Sequence, residues 1–475
     1  MSKNNESKPD ARLAVVIMAA GKGTRLRTRR PKVLHEVGGK ALLGHVIATA
    51  QELAESGDIH VIVGHEADRV RVAVGGTGVQ FVEQKEQRGT GHAIQSARDA
   101  VAKYDHILVL SGDVPLIGAT TLQHLMTMHL AQGAAMSILT AVPENPTGYG
   151  RVIRHLADRP EVDAIVEQKA LKSDQLEIRE INSGIYAFKT KPLLAHIDQL
   201  STDNPHGEFY LTDMAARLKS AGEKVMAIQA PNAEEVQGGN TIAELVELDA
   251  KIRMKVANRL MAAGVTIFRP ETCVIDASVE IEPDTIIEPF VQLLGNTKVG
   301  TDCRIRSFTV IENCTIGDGV LVQNGCVLEN STVLKQASLG PFSHLRPGCE
   351  IGEGGHVGNF VEMKKAKIGR GTKANHLSYI GDAEVGAGTN IGAGVITCNY
   401  DGVNKYQTRI GQGAFVGSDS TLVAPVSVGD GAYIGAGSCI TRDVPSGALA
   451  VGRAMQVTKE GWVAARRARK SEKKD

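Results

Sequence analysis

Residues 275–311 read IDASVE IEPDTI IEPFVQ LLGNTK VGTDCR IRSFTV I, and this stretch decides the fold of the second half of the chain. An aliphatic residue opens every block of six, from Ile275 to Ile311. Neither a helix nor an ordinary strand has a period of six, whereas a parallel β-helix with three flat sides does, because each turn points three aliphatic side chains inwards. A glycine-rich sandwich would instead show period two. The stretch therefore predicts a parallel β-helix of hexapeptide repeats.

The period of six continues through most of the remaining sequence. A second phase consists of Leu321, Val327, Val333, Leu339, Leu345, Ile351, Val357 and Met363, and a third of Ile410, Val416, Leu422, Val428, Ile434 and Ile440. Between these phases, residues 399–405 (NYDGVNK) are polar and turn-forming. Such an interruption predicts a loop that projects from one corner of the β-helix.

The first half of the chain has a different pattern. From Leu13 to about Ala230, short β-branched runs alternate with longer stretches of helical apolar spacing, which predicts a Rossmann-like α/β domain with an open sheet. Residues 241–263 contain neither glycine nor proline and predict one long helix. We therefore expect a nucleotide-binding domain at 1–242, a helical linker at 243–263 and a hexapeptide-repeat domain at 264–475.

Charge and composition exclude some classes of protein. Lysine plus arginine and aspartate plus glutamate each total 53, so no net charge attracts the chain to nucleic acid. The apolar run Leu13–Ala20 is far shorter than the ~20 residues of a membrane span, and we expect neither a span nor a signal peptide. The seven cysteines form no C-x-x-C pair, which favours free thiols in a reducing cytoplasm. The tail from Trp462 carries six basic residues and is interpreted as a solvated terminus: Arg466, Arg467, Arg469, Lys470, Lys473 and Lys474.

A glycine-rich loop follows the first predicted strand. It reads AAGKGTR from Ala19 to Arg25, and six basic residues lie between Lys22 and Lys32. Glycines allow backbone N–H groups to approach a phosphate, and the basic side chains can neutralise a polyphosphate. A dinucleotide fingerprint would need glycine at Leu26, and a P-loop would need G-K-[ST] after a longer spacing. The loop therefore predicts a nucleoside triphosphate site of another kind.

Further motifs connect this loop with a known family. They are G-x-G-T-R at 21–25 with P-K at 31–32, QKEQRGTGHA at 84–93, SGD at 111–113, GYGR at 148–151, IVE at 165–167 and NSG at 182–184. Together they resemble the signature of sugar-nucleotide pyrophosphorylases. From about Leu13 to Trp462, the chain resembles the bifunctional N-acetylglucosamine-1-phosphate uridyltransferase / glucosamine-1-phosphate N-acetyltransferase family.

The resemblance implies a function for each half. The β-helix, left-handed in that family, would transfer an acetyl group from acetyl-CoA to glucosamine-1-phosphate. The first domain would then join N-acetylglucosamine-1-phosphate to uridylate from UTP and release pyrophosphate. The product, UDP-N-acetylglucosamine, feeds bacterial peptidoglycan and lipopolysaccharide synthesis. The family forms homotrimers through the β-helix, with each acetyl-transfer site between subunits.

The resemblance also assigns residues of the uridyltransferase site. Arg25 and Lys32 would stabilise the charge of the transition state, and Asp113 and Asn240 would hold Mg²⁺, a hard cation that prefers oxygen ligands. UTP and UDP-N-acetylglucosamine would contact Met18, Ala19, Ala20, Gly21, Lys32, Gln84, Gly89, Thr90, Ser111, Gly112, Asp113, Gly150, Glu167, Asn182 and Asn240. Met18, Ser111 and Ser183 stand where the family has Leu, Tyr and Thr.

The acetyltransferase site is assigned in the same way. His376 interrupts the repeat in KANHLSY at 373–379 and would be the base that takes the proton of the attacking amine, a role that suits the pKa of histidine. Asn375 stands where the family usually has glycine. The sugar phosphate would contact Arg346, Lys364, Tyr379, Asn390 and Lys405, and acetyl-CoA would contact Ala393, Asn399, Tyr400, Ser418, Ala436 and Arg453.

Two other functions are compatible with this architecture. One is a regulatory or structural subunit that binds a sugar nucleotide, and the other is a pyrophosphorylase with an inert β-helix. A degenerate subunit would lose its charged catalytic residues first, yet Lys32, Asp113, Asn240 and His376 are all present. An assay of acetyl transfer from acetyl-CoA separates the second alternative from a bifunctional enzyme.

Overall fold

The computed structural model describes residues 11–156 and 159–471, and it divides into two compact units with the boundary between Arg253 and Met254. Within the described residues, no helix combines the length and the apolar character needed to cross a membrane. Lys473 and Lys474 of the basic tail lie outside the described residues.

The first unit is built around a mixed sheet that contains nine strands within the described residues. Seven of them lie side by side in the order Val225–Gln229, Met136–Ala141, Ile181–Lys189, His106–Ser111, Leu13–Met18, Ile59–Val63 and Gln80–Glu83. Arg151–Arg154 pairs with Ile181–Lys189 and with Val162–Val166. The central strand Leu13–Met18 has parallel neighbours on both sides, and its residues from Ala14 to Ile17 are buried. A central parallel strand covered on both faces explains this continuous apolar run.

Helices and short elements complete this unit. The α-helices are Leu42–Gln51, Ala67–Val74, Thr90–Ser96, Arg98–Val101, Ala119–Gln132, Thr190–His196 and Met214–Ser220, and a small hairpin joins Glu36–Val37 to Lys40–Ala41. One apolar core lies on each face of the sheet because successive strand residues point to opposite faces: Val15 belongs to one core and Val16 to the other. The Rossmann-like architecture expected from the sequence is confirmed.

The long helix spans Ile242–Ala262, within one residue of the expected limits at each end. Thr241 begins it by accepting the backbone N–H of Glu244 on its hydroxyl at 3.2 Å. Leu245 and Leu248 are buried and pack against Gly239, where a Cβ would lie 2.5 Å from the nearest Leu245 methyl. The first part of the helix therefore belongs to the core of the first unit.

The second unit is a left-handed parallel β-helix with three sheets. One sheet consists of Thr266–Ile267, Ile286–Ile287, Arg304–Ile305, Leu321–Val322, Ser338–Leu339, His356–Asn359, Lys373–His376, Asn390–Ile391, Phe415–Val416, Tyr433–Ile434 and Leu449–Ala450. The next consists of Val274–Ile275, Gln292–Leu294, Val310–Glu312, Val327–Glu329, His344–Leu345, Glu362–Lys364, Tyr379–Gly381, Ile396–Cys398, Thr421–Val423 and Cys439–Ile440. The third consists of Glu280–Ile281, Lys298–Val299, Thr315–Ile316, Thr332–Val333, Glu350–Ile351, Lys367–Ile368, Ala383–Val385, Thr408–Ile410 and Val426–Val428.

The interior of the β-helix follows the hexapeptide pattern with one local difference. Every residue of the first and third phases is buried, as are the members of the second phase from Val333 onwards. Leu321 and Val327, however, are only partly buried, and Val322 and Leu328 point inwards instead. The physical reason is coil length: Ile305 pairs with Val322 and Val322 with Leu339, so two successive coils are each one residue shorter than the coil from Ile287 to Ile305. The phase that holds from Val333 onwards is reached only in the second of these shorter coils.

Two features interrupt or follow the coils. Asn390 and Phe415 occupy the same position on successive coils, although the segment between them is longer than the segment between Lys373 and Asn390. The additional residues form the projecting loop expected from the sequence, closed by a bridge between Tyr400 and Lys405. Beyond the last coil, a final helix spans Trp462–Ser471. All seven cysteines are free thiols, and only Cys439 is exposed.

Candidate functional site

A cavity of about 510 Å³ opens at the carboxyl ends of the central parallel strands in the first unit. Ten of the residues predicted to bind the nucleotide line it: Met18, Ala19, Ala20, Gly21, Lys32, Gln84, Gly89, Thr90, Ser111 and Asp113. Ligands of open α/β sheets bind at this edge, because the loops there leave the strands in different directions. The glycine-rich loop therefore lies where a phosphate chain would be expected.

Glycine is required at two positions around the cavity. Gly23 has a φ of +62°, and a Cβ there would lie 2.6 Å from the Cβ of Lys32. Gly89 has a φ of +108°, and a Cβ there would lie 2.6 Å from the Phe209 carbonyl oxygen. Side chains rarely adopt positive φ, so both positions combine backbone strain with steric exclusion for any other residue. Only glycine at these two positions allows the loops to approach their neighbours this closely.

Gln84 forms the floor of the cavity and is almost completely buried. Its Nε2 donates to the Gly89 carbonyl at 3.1 Å and lies 3.1 Å from His92 Nδ1. The Thr90 hydroxyl accepts the Leu211 N–H at 3.0 Å, which anchors the end of the same loop. These contacts hold a side-chain amide and a loop backbone in fixed positions, an arrangement suited to a base edge.

Four charged or amide side chains meet beside the phosphate loop. Lys32 forms an ion pair with Asp113 and donates to Asn240 Oδ1 at 2.7 Å. Arg25 Nη2 donates to the same Asn240 oxygen at 2.7 Å, and the Ser111 hydroxyl donates to Asp113 Oδ1 at 2.6 Å. Burial opposes ionisation of Asp113, but the positive charge and hydrogen bond of Lys32 outweigh it and hold the pKa of that carboxyl below its usual value.

The backbone brings these groups together from distant parts of the chain. Gly112 donates its N–H to the Met18 carbonyl at 3.0 Å, so the SGD segment is fixed to the end of the first strand. Gly239 donates its N–H to the Asp113 carbonyl at 3.2 Å, and Glu244 accepts the Asn240 N–H at 2.6 Å. Asn240 is thus positioned by the start of the long helix.

Gly150, Glu167 and Asn182, the predicted sugar contacts, form a second cluster beside the antiparallel strands. Asn182 donates its backbone N–H to the Gly150 carbonyl at 2.9 Å. Glu167 Oε1 accepts the Thr212 hydroxyl at 3.2 Å, and burial raises the pKa of the Glu167 carboxyl. The cluster can present a carboxylate, an amide and a backbone edge, which are the groups that bind sugar hydroxyls.

Several residues around these clusters were not assigned as nucleotide or sugar contacts from the sequence, although Lys22, Gly23, Thr24, Gln87 and Ala93 lie in the motifs quoted above. The cavity is also lined by Lys22, Gly23, Thr24, Val33, Gln87, Ala93 and Glu208. Thr212 donates to Glu167, and Tyr186 accepts a hydrogen bond of 2.8 Å from the Asn182 amide. No sequence signal marks Thr212 or Tyr186, since their roles depend on contacts across the fold. Lys22 and Thr24 belong to the phosphate loop and were detectable there.

In the β-helix, most of the predicted sugar-phosphate and base residues occupy adjacent coils. His376 is exposed at the end of a strand, and its carbonyl accepts the Ser378 hydroxyl at 2.9 Å and the Gly394 N–H at 3.3 Å. Tyr379 lies on the next side of the same coil, and Asn390 on the following coil pairs with Lys373. His356 lies one coil earlier, and its pKa is lowered by burial and by Lys373 and His376. The histidine region therefore combines an exposed imidazole with nearby polar groups.

Positive charge collects beside this histidine region. Lys405, on the projecting loop, is a neighbour of Lys364 and lowers its pKa. Arg346 donates to Glu362 at 3.2 Å. A cavity of about 240 Å³ is lined by Lys365, Asp382, Lys405, Tyr406 and Gln407. Neighbouring ammonium groups are chemically suited to an anion such as a phosphate.

The residues predicted to bind acetyl-CoA lie at two corners of the β-helix: Ala393, Ser418, Ala436 and Arg453 share one corner, and Asn399 and Tyr400 lie at the next, where the projecting loop begins. The Asp419 N–H donates to Ala393 at 2.7 Å, and the Gly437 N–H donates to Ser418 at 2.8 Å, so Ala393, Ser418 and Ala436 lie on three successive coils. Asn399 donates to Asp382 at the base of the loop, whereas Tyr400 and Arg453 are exposed. Ser418 and Ala436 are also exposed, whereas Asn399 is buried.

Comparisons with known proteins agree with this architecture. Residues 15–198 match the MobA-like NTP transferase domain, and residues 278–313 and 407–442 match the bacterial transferase hexapeptide repeat. The bifunctional protein GlmU of Koribacter versatilis is 60% identical, over 98% of this chain and 99% of its own length. The bifunctional protein GlmU of Solibacter usitatus is 51% identical, over 96% of this chain and 97% of its own length. That of an Anaeromyxobacter species is 46% identical, over 96% of this chain and 93% of its own length. The chain belongs to the family of bifunctional GlmU proteins, enzymes that combine a uridyltransferase with a hexapeptide-repeat acetyltransferase.

Proposed function

We propose that the chain makes UDP-N-acetylglucosamine in two steps, each carried out in one of the two units. The β-helix transfers the acetyl group of acetyl-CoA to the amine of glucosamine-1-phosphate. The first unit then transfers uridylate from UTP to N-acetylglucosamine-1-phosphate. The observation that supports this assignment most directly is the meeting of Arg25, Lys32, Asp113 and Asn240 beside the phosphate loop, although Asn240 is 208 residues from Lys32 in the sequence.

In the uridyltransferase step, an oxygen of the sugar phosphate attacks the α-phosphorus of UTP, and pyrophosphate leaves. Gln84, Gly89 and Thr90 hold the uracil, and Gly150, Glu167 and Asn182 hold the acetylated sugar. Arg25 and Lys32 neutralise the negative charge that grows on the phosphate oxygens. No protein nucleophile is needed, because positioning and electrostatic stabilisation account for the rate.

A divalent cation fits the residues of this site. One carboxylate and one amide oxygen, those of Asp113 and Asn240, already contact a single positive group, the Lys32 ammonium. Mg²⁺ is usually held by one or two protein oxygens together with phosphate oxygens and water. When bound, Mg²⁺ would supply charge neutralisation and orientation of the triphosphate.

In the acetyltransferase step, the neutral amine of the sugar attacks the thioester carbonyl of acetyl-CoA. His376 accepts the amine proton, the carbon–sulfur bond breaks, and coenzyme A leaves as its thiol. Arg346, Lys364 and Lys405 bind the sugar phosphate, and Tyr379 and Asn390 bind the sugar. Acetyl-CoA lies along Ala393, Asn399, Tyr400, Ser418, Ala436 and Arg453.

The second site is proposed to be completed in a homotrimer of β-helices. The support is the exposure of Tyr400, Ser418, Ala436 and Arg453, since a bound cofactor of this size requires walls on more than one side. The proposed limits are 1–242 for the uridyltransferase domain, 243–263 for the helical linker and 264–475 for the acetyltransferase domain. The cytoplasm is the proposed location of the protein.

One experiment tests the function as a whole. The full chain is incubated with glucosamine-1-phosphate, acetyl-CoA, UTP and Mg²⁺, and the nucleotide products are separated. We expect UDP-N-acetylglucosamine to form, and its formation to stop when acetyl-CoA is omitted. Activity on N-acetylglucosamine-1-phosphate without any acetyl transfer would indicate a pyrophosphorylase with an inert β-helix.

A further inference from the structure

The Lys32 side chain lies between the two residues proposed to hold the divalent cation. Its ammonium group pairs with Asp113 Oδ2 and donates to Asn240 Oδ1 at 2.7 Å. These are the oxygens that the cation requires. A positive group that belongs to the chain itself therefore contacts both ligands of the proposed site in the nucleotide-free protein.

We propose that Lys32 competes with the divalent cation for Asp113 and Asn240, so that the cation binds stably only together with the nucleotide. This inference rests on the proposed uridyltransferase function of the same site. The triphosphate provides the Lys32 ammonium with new oxygen partners, and its departure frees the two protein oxygens. Lys32 thus has two successive roles, first as an internal cation and then as a phosphate ligand.

The ammonium and a divalent cation cannot use these oxygens at the same time. Mg²⁺ binds oxygen at about 2.0–2.1 Å, which requires both ligands to point directly at the ion. The Lys32 nitrogen is already within hydrogen-bonding distance of both oxygens. Two positive charges sharing one pair of ligands would repel each other strongly in a site where both side chains of the ion pair are about 15% exposed.

Two glycines let the backbone approach the ion pair of Lys32 and Asp113 closely. A Cβ at Gly23 would lie 2.6 Å from the Lys32 Cβ, and a Cβ at Gly238 would lie 3.2 Å from Asp113 Oδ2. The glycines allow the loop and the segment before Asn240 to close around the ion pair. When the ammonium leaves Asp113, the loop residues Gly21–Gly23 provide the nearest position for phosphate oxygens.

Competition of this kind couples the two ligands. A metal ion without nucleotide must displace the Lys32 ammonium from both oxygens, and the ammonium gains no new partner. The metal–nucleotide complex instead provides phosphate oxygens with which the ammonium can pair. Because coupling between two ligands is reciprocal, the nucleotide strengthens metal binding as much as the metal strengthens nucleotide binding. Before the nucleotide arrives, the ammonium also keeps Asp113 and Asn240 close together, so that the two ligands are already positioned.

The test is a titration of the full-length, nucleotide-free protein with Mn²⁺, followed by electron paramagnetic resonance of the free ion. Lys32→Met removes the competing charge while retaining a side chain of similar length. Lys22→Gln removes a positive charge from the lining of the same cavity, and the ion pair of Asp113 with Lys32 is left in place. We expect Lys32→Met to bind Mn²⁺ at least fivefold more tightly than Lys22→Gln does, and Lys32→Arg to stay close to the parent.

Additional variants identify the site and control for folding. The gain in Mn²⁺ affinity should disappear in Lys32→Met combined with Asp113→Asn, since this removes the carboxylate ligand. Circular dichroism and the acetyltransferase activity report on the fold, and Lys32→Gln replaces Lys32→Met if the latter does not fold. An affinity difference below fivefold between the Lys32 and Lys22 variants, or a gain that survives Asp113→Asn, would overturn the proposal.

A failure of this proposal can be distinguished from a failure of the proposed function. If the parent makes no UDP-N-acetylglucosamine from the acetylated sugar phosphate, the uridyltransferase assignment is wrong. If the parent makes the product but removal of Lys32 does not raise Mn²⁺ affinity, the competition is wrong and the activity stands.

Discussion

The two candidate sites differ in how far one chain completes them. In the first unit, Lys32 contacts both Asp113 and Asn240 beside the phosphate loop. In the β-helix, Lys364 and Lys405 are neighbours although both are positively charged, and Lys405 is exposed. Like charges in contact are unfavourable until an anion binds between them.

The difference shows how each architecture makes a site. An open α/β sheet gathers loops from many strands at one edge, so a single domain encloses its ligand. A β-helix presents a nearly flat surface on each side, and the chain makes a recess only where a loop such as residues 399–405 projects. We therefore expect substitutions in the first site to act within one subunit, and substitutions in the second to depend on assembly.

The largest effect is expected for His376→Ala. Loss of the base should reduce acetyl transfer by ~10²- to 10⁴-fold, the usual contribution of general base catalysis, and leave uridyl transfer unchanged. Thiol release from acetyl-CoA and pyrophosphate release from UTP measure the two activities. A loss of acetyl transfer smaller than tenfold would remove His376 from the base role.

Asp113→Asn tests the opposite site. It retains the shape of the side chain but removes the charge that pairs with Lys32, and we expect uridyl transfer to fall by roughly 10²- to 10³-fold, as for removal of one preorganised electrostatic group. Acetyl transfer should remain at the parental rate. Parental production of UDP-N-acetylglucosamine from the acetylated sugar phosphate would contradict the metal assignment.

Truncation within the long helix tests how much of this helix the first unit needs for its stability. A fragment of residues 1–242 lacks the buried Leu245 and Leu248, and it also lacks Asp249, which accepts the Gly38 N–H at 2.7 Å. Burial of the two leucines alone is worth at least about 3 kcal/mol. The fragment 1–253 should therefore unfold at a clearly higher urea concentration than 1–242. Equal midpoints would show that the helix adds nothing to the first unit.

The smallest effect is a dependence of stability on pH in the first unit. His129 is completely buried between His106, at 3.1 Å, and the Ser137 hydroxyl, at 2.9 Å. Burial, followed by the charges of His106 and Lys189, lowers the pKa of His129 to about 4. Because an unfolded histidine has a pKa near 6.5, the unfolded chain binds more protons between these values, and stability falls as the pH drops from 6.5 towards 4.

At pH 5 the expected loss from His129 is about 2 kcal/mol relative to neutral pH. Hydrogen exchange of the amides in the strand His106–Ser111 at pH 7 and pH 5 measures it. In the matched variant His129→Gln, the part of the pH dependence that comes from this residue should vanish. Identical pH dependence in parent and variant would mean that His129 does not control acid stability.

The sequence predicted the architecture because periodicity is a local property. A period of six identified the interior of the β-helix, and nearly all of the residues in the three phases are buried. Leu321 and Val327 were assigned to the interior incorrectly because two successive shorter coils, from Ile305 to Val322 and from Val322 to Leu339, each shift the pattern by one position. Such a shift is invisible until the coil lengths are known, since either of two adjacent aliphatic residues can satisfy the pattern.

The contacts within the first site were less accessible to prediction. The motifs located most of the cavity lining, but the bridge from Lys32 to both Asp113 and Asn240 depends on how the loop, the strand and the long helix meet. The same is true of the hydrogen bond from Thr212 to Glu167, which spans 45 residues. Spacing in the sequence carries no information about such contacts, because loop conformations determine them.

The stacked coils of the β-helix also affect how such a chain can change in length. Each coil pairs only with the coil before and after it, as Ile287 pairs with Ile305 on the next coil. Duplication or loss of a whole coil away from Lys364–Lys405 would preserve every inward position and shift the end of the stack by one strand spacing, about 4.8 Å. Insertion of a single residue within a strand would instead turn the following side chains of that strand out of phase. Evolution of this domain is therefore expected to proceed in complete turns, with extra residues confined to corners.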